Sequence, residues 1–276
     1  MRYVKQLAIL NLVTFIFAFV LSMLGQTAVV GVYTMAEMSA KYESGITPAN
    51  FAFSIWPLIY LALAAMLIYH LVQAFKQNET YITNKEIVVI GLMFAINQLA
   101  ISAWIYTWLN DLPGVSCLLL LVQWYTLYCI DRRLQLLNPK KGKTSLFITQ
   151  LPLSLYFGWI TVATLTNFAA WLVSLGWLTN IQINLYVSYT LLMVTIGIGA
   201  VVVYFKHNIF YGLVIIWAIY GVIMKQLEMG NEAFQSLVYL GSFGIIIVLL
   251  VLIKTTVAYS SVEEKPYRKR KKAIPY

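Results

Sequence analysis

The chain has 276 residues, 61% of them hydrophobic and 11% charged, with a formal net charge of +9. A soluble domain carries roughly 25% charged residues, so this sequence lacks the polar side chains needed to cover a core in water. Its 15% aromatic content, with 8 Trp and 19 Tyr, suits two membrane interfaces. The expected class is all-α, a polytopic transmembrane helical bundle.

Taken in chain order, the first apolar run extends from Leu7 to about Tyr33. A secretory signal peptide has an apolar stretch of about 7–15 residues, and no Ala-x-Ala pattern closes this run, so it reads as an uncleaved first helix. A spanning helix needs about 20 mostly apolar residues. Eight stretches meet or approach that length: approximately 7–31, 51–74, 87–108, 113–130, 146–174, 183–205, 209–226 and 235–254. The runs are continuous rather than alternating, which favours helices over a barrel. Short polar breaks separate them, among them Asn110–Gly114 and Asn138–Gly142. Pro48 precedes the second segment, Pro113 falls in the first turn of the fourth, and His207-Asn208 forms a tight turn.

Charge tests this reading. With the N-terminus cytoplasmic and every segment crossing, all of the 19 basic residues except Lys41 and Lys225 fall on the cytoplasmic side. The acidic residues divide evenly, as expected when Asp and Glu contribute little to orientation. Both termini are therefore expected inside, in a multi-pass protein of the cell (plasma) membrane. The tail, residues 257–276, carries Lys265, Arg268, Lys269, Arg270, Lys271 and Lys272. Beside a membrane helix such a run orients the protein and touches anionic lipid headgroups, and it gives no case for nucleic acid.

The spans hold little ionisable chemistry. Glu86, Asp131, Lys225 and Lys254 are expected near helix ends, within reach of headgroups, and His70 is expected as an interfacial residue. Interior Asp, Glu or His relays mark ion-coupled transporters, and their expected absence weighs against an ion-driven pump. Cys117 and Cys129 share one helix about 18 Å apart and cannot bridge each other. No P-loop, His-Glu-x-x-His or Gly-x-Ser-x-Gly is present, so no catalytic residue, metal ligand or cofactor site is expected.

What remains in mid-membrane is neutral polar and aromatic: Asn97, Gln98, Ser102 and Trp104, then Gln123–Thr126, then Tyr156–Trp171. Trp159, Ala163, Thr166 and Asn167 share one helical face. Two readings follow. Small residues allow close helix packing while Thr and Asn bond across the interface. Alternatively, an aromatic-walled pocket with a few polar anchors takes a small molecule.

At these residues the sequence resembles the TspO family of tryptophan-rich sensory proteins. Pro48, Trp56, Leu58 and Tyr60 match the family pattern at the start of the second helix, and Ala95–Asn97 resembles its third-helix Leu-Asn. Trp159-x3-Ala163-Thr164-x2-Asn167-x3-Trp171 matches the fifth-helix pattern at full spacing. The resemblance covers about residues 5–175, giving an expected division into a five-helix core (1–175), three additional helices (176–256) and the basic tail. It implies a pocket capped by the loop between the first two helices that accepts porphyrins and other planar hydrophobic ligands. On that basis Trp56, Tyr60, Asn97, Trp159, Ala163 and Asn167 line or brace the pocket, with a tetrapyrrole as the possible ligand. The role implied is sensory, regulatory or carrier; a facilitative transporter or flippase for a hydrophobic solute is the alternative, and a homo-oligomer is possible. Three departures stand out: the capping loop Glu37–Asn50 has no Trp, Gln98 and Ala100 occupy the region of the family's second third-helix Trp, and Leu155 replaces a Pro.

Overall fold

In lipid a backbone has no water to bond, so each apolar run satisfies its own N–H and C=O groups as a helix. The computed structural model describes residues 1–27, 29–136 and 142–263, with side-chain surroundings defined through residue 257. Lys140, Lys141 and the cationic run from Lys265 to Lys272 lie outside the described residues. The long helices are α1 (Arg2–Leu24), α3 (Ile55–Lys76), α4 (Ile82–Leu109), α5 (Pro113–Leu134), α7 (Leu151–Ser174), α8 (Ile181–Lys206), α9 (Ile209–Met229) and α10 (Gln235–Glu263). Short helices α2 (Met35–Lys41) and α6 (Gly142–Ser145), a 3-10 turn at Asn50–Ser54 and a π turn at Leu146–Gln150 complete the path before α8. Among the described residues, eight helical stretches are long and apolar enough to cross a membrane. The protein is an all-α, multi-pass bundle.

Local chemistry explains the boundaries. Thr34 and Glu37 form a reciprocal capping box that starts α2 inside the first loop. Asn180 and Asn208 accept from the first free N–H groups of α8 and α9. His207 adopts a left-handed conformation (φ 54°), which makes the expected tight turn. The first helix stops at Leu24, earlier than the apolar run does. Gly25 lies against the side chains of Ile105 and Leu109, and Gly31 against the backbone of Leu109, so Val29–Val32 run as loop. Hydropathy marks what lipid tolerates, not where the helix leaves it.

One core joins all eight long helices, with Phe15, Ile59, Phe94, Leu120, Tyr156, Leu192, Ile215 and Val248 each contributing from a different one. Small residues let α8, α9 and α10 approach closely: a Cβ at Gly199 would lie 2.8 Å from Ile215, and one at Gly244 would overlap the Ile196 side chain. Large apolar side chains such as Leu61, Phe205 and Tyr239 face outward, where lipid covers them. Helix ends alternate, so the end of α1 and the starts of α3, α5, α8 and α10 gather at one end, here termed the lid end.

The expectation for the ionisable residues holds for Lys254, which is exposed, but not for three others. Glu86, His70 and Asp131 are buried, with 2%, 3% and 5% exposure, instead of reaching for headgroups. Glu86 accepts hydrogen bonds from Ser145 Oγ and from Thr149 Oγ1, the latter at 2.8 Å, and His70 Nε2 lies 3.0 Å from Thr149 Oγ1. Asp131 pairs with Lys206 at 3.6 Å. Ser145 and Thr149, four residues apart, share one helical face and meet on one carboxylate, in a segment that includes the π turn leading into α7. A carboxyl group buried away from water needs such partners. Gly91, with φ 54° and ψ −142°, kinks α4 just after Glu86, a conformation open to glycine alone.

Candidate functional site

A cavity of about 490 Å³ opens among α1, α3, α4 and α7 beneath the loop that joins the first two spans. Its longest wall is one face of α7: Trp159, Val162, Ala163, Thr166, Asn167 and Ala170 recur at helical spacing. Trp56, Pro57 and Tyr60 enter from the first turns of α3, and Trp104 and Trp108 from the last turns of α4. Ser22, Met23 and Gln26 close the α1 side.

The rings pack in two groups. Trp56 stacks on Tyr60 at 5.1 Å and meets the edge of Trp159 at 6.2 Å, while Phe53 abuts Trp159 at 5.9 Å. Across the cavity Trp104 and Trp108 are near-parallel at 6.4 Å. Each ring is anchored by its neighbours, so the walls are preformed aromatic surfaces. Tyr60 donates to Ser22 Oγ at 2.8 Å and ties α3 to α1.

Trp56, Tyr60, Trp159, Ala163 and Asn167 all line this cavity. Asn97 does not. It is fully buried, donating to the Gln123 carbonyl at 3.0 Å and to Thr126 Oγ1 at 2.9 Å, and accepting from Tyr156 at 2.7 Å. Tyr156 in turn leans on Trp56, with ring centroids 6.4 Å apart. Asn97 thus braces the wall from behind. The sequence reading passed over Trp108, Tyr42 and the α1 residues. For Trp108 a signal exists: Trp104 and Trp108 are four apart at a helix end, as are Trp56 and Tyr60. These two indoles supply aromatic surface that the Trp-free loop does not.

The loop over the cavity is a fastened lid. Its first half is held to the α4–α5 turn: Tyr33 N–H donates to the Leu109 carbonyl at 3.1 Å, Lys41 pairs with Asp111 at 2.6 Å, and Tyr42 donates to Asp111 at 2.7 Å. Those bonds, the one from Lys41 first, hold the Asp111 carboxyl below its usual range, and burial pushes the Tyr42 phenol up. The second half is held by α8 and α9. Gly45 donates to Asn184 at 3.1 Å and accepts from Gln226 at 3.0 Å. Ala49 N–H reaches the Gly221 carbonyl at 2.9 Å, Trp217 donates to the Ala52 carbonyl at 2.9 Å, and Lys225 pairs with Glu43 at 2.9 Å. A Cβ on Gly221 would stand 2.7 Å from that of Ala52, so glycine permits this contact.

An aromatic-walled cavity roofed by an ordered loop lies inside a bundle of eight apolar spans, the build of an integral membrane protein. The family model for TSPO-like protein matches residues 8–254, and the chain belongs to that family. The match runs through α8, α9 and most of α10, beyond the five-helix stretch that the sequence motifs span. No curated protein and no solved structure matches the chain.

Proposed function

We propose that this protein binds a planar, hydrophobic, porphyrin-like small molecule in the cavity beneath the lid, in a sensory, regulatory or carrier role at the cell membrane. The carrying observation is the pair of aromatic walls, Trp56–Tyr60–Trp159 and Trp104–Trp108, facing one space of about 490 Å³, within the usual range for small-molecule sites. No lining residue is an acid, a base or a histidine, which supports binding without catalysis. Helices α1, α3, α4 and α7 wall the cavity, and α8 and α9 serve to hold its lid. The basic tail adds contact with anionic headgroups. Because both halves of the lid are tied down, we favour a sensor over a flippase, whose path must open at both ends.

A lipid-soluble porphyrin titrated into the purified protein should quench Trp fluorescence saturably in the micromolar range. Trp159→Ala should weaken that response severalfold. A quench that never saturates, or one that Trp159→Ala leaves unchanged, defeats the proposal.

A further inference from the structure

Resting on that reading of the cavity, we infer that the ligand is an uncharged molecule drawn from the bilayer, with one or two neutral polar groups, and that the site discriminates against a dianion of the same shape. The first observation is that every lining side chain is neutral. A carboxylate or ammonium placed in this space would lose its water and find no counter-ion, which is costly in a low-dielectric interior.

The second observation concerns the charges nearest the cavity, because each is already engaged. The lid loop, residues 25–54, contains three charged residues: Glu37, Lys41 and Glu43. Glu37 is consumed by the capping box, accepting from Thr34 N–H at 2.7 Å. Lys41 is bound to Asp111 and Glu43 to Lys225. Tyr42, which does line the cavity, turns its hydroxyl toward Asp111. Drawing Lys41 or Lys225 to an anionic ligand would break an ion pair that also fastens the lid. The fold has the charges and keeps them for itself.

The third observation is the position of the mouth. Of the seven exposed lining residues, Ala36 and Asn50 belong to the tied lid, and the other five cluster beside the end of α1 (Met23, Gln26) and the start of α3 (Phe53, Ser54, Pro57). Methionine, phenylalanine and proline there make a surface that lipid wets, while Gln26 and Ser54 offer an amide and a hydroxyl. That pairing suits a molecule with an apolar body and a hydroxyl, carbonyl or ester head, arriving between α1 and α3 at the level where chain and headgroup meet. It does not suit one arriving from water through the tied lid.

Protoporphyrin IX and its dimethyl ester separate these alternatives, because they share one ring system and differ by two negative charges. Both are titrated against the full chain in lipid nanodiscs, with quenching followed at pH 8 and partition into empty nanodiscs subtracted. The ester is expected to bind at least about tenfold more tightly than the acid, and Ala163→Trp, which fills the cavity, to abolish the difference. Equal or tighter binding of the acid overturns the inference while leaving the cavity as a porphyrin site. Failure of both to quench saturably overturns the inference and the proposed function together. A second comparison guards against a porphyrin-specific effect: a planar aromatic methyl ester and its free acid should rank the same way, and the reverse ranking counts against the inference.

Discussion

Asn97 shows how a single amide serves the site without touching it. Its donors and acceptor are all used, bridging α4 to α5 and to Tyr156 on α7. Asn97→Ala removes those bonds and strands the Tyr156 hydroxyl, fully buried behind Trp56. Membrane hydrogen bonds are individually modest, so we expect a loss of about 1–2 kcal/mol of stability, with Tyr156→Phe costing about 1 kcal/mol or less. Unfolding in mixed micelles reads both. The double variant should lose less than the sum, since the two share a bond. The α7 face was legible in the sequence because one helical period carries it. Asn97 was legible as important but not as buried, because its partners come from two other helices. Glu86 and His70 were misread for a sharper reason. Their partners, Ser145 and Thr149, come from the segment that leads into α7, and hydropathy does not see a partner brought from another element.

At the scale of elements, the lid is where α8 and α9 bear on the site. Gln226→Leu and Trp217→Phe each remove one bond to the lid backbone, leaving the Gly45 and Ala52 carbonyls to find other partners. Each should cost about 1 kcal/mol of local stability, seen as roughly fivefold faster amide exchange across residues 43–54, with the α1–α4 interface unaffected. Gly221→Val should do more, since its side chain must displace Ala52 and Pro48. The other half of the lid responds to pH. Because Asp111 is held below its ordinary value of 3.8, its contact with Lys41 and Tyr42 is complete above that value. It is lost as pH falls from there through the lower, folded value. Protection of residues 33–42, taken as exchange relative to each amide's intrinsic rate at the same pH, should therefore stay level from neutral pH down to about pH 5 and fall below about pH 4. Asp111→Asn should show the fast exchange at neutral pH. The loop's existence was plain from sequence, but its fastening was not, since it depends on residues from 69 to 181 positions away.

At the scale of the whole molecule, the two basic residues that break the charge asymmetry, Lys41 and Lys225, both lie at the lid end, and each is paired with a carboxylate there. The helix count follows from hydropathy because lipid imposes it on every span alike. Orientation follows from charge alone, and we propose that both termini face the cytoplasm. The alternation of helix ends makes this testable at two positions. With Cys117→Ala and Cys129→Ser as background, Thr179→Cys lies in the exposed turn between α7 and α8 at the lid end, and Gln77→Cys just past α3 at the other. A membrane-impermeant maleimide should label Thr179→Cys in intact cells and Gln77→Cys only after permeabilisation. The reverse pattern would put the lid and its cavity mouth in the cytoplasmic leaflet. Labelling of both from one side would contradict the crossing of an odd number of spans between them.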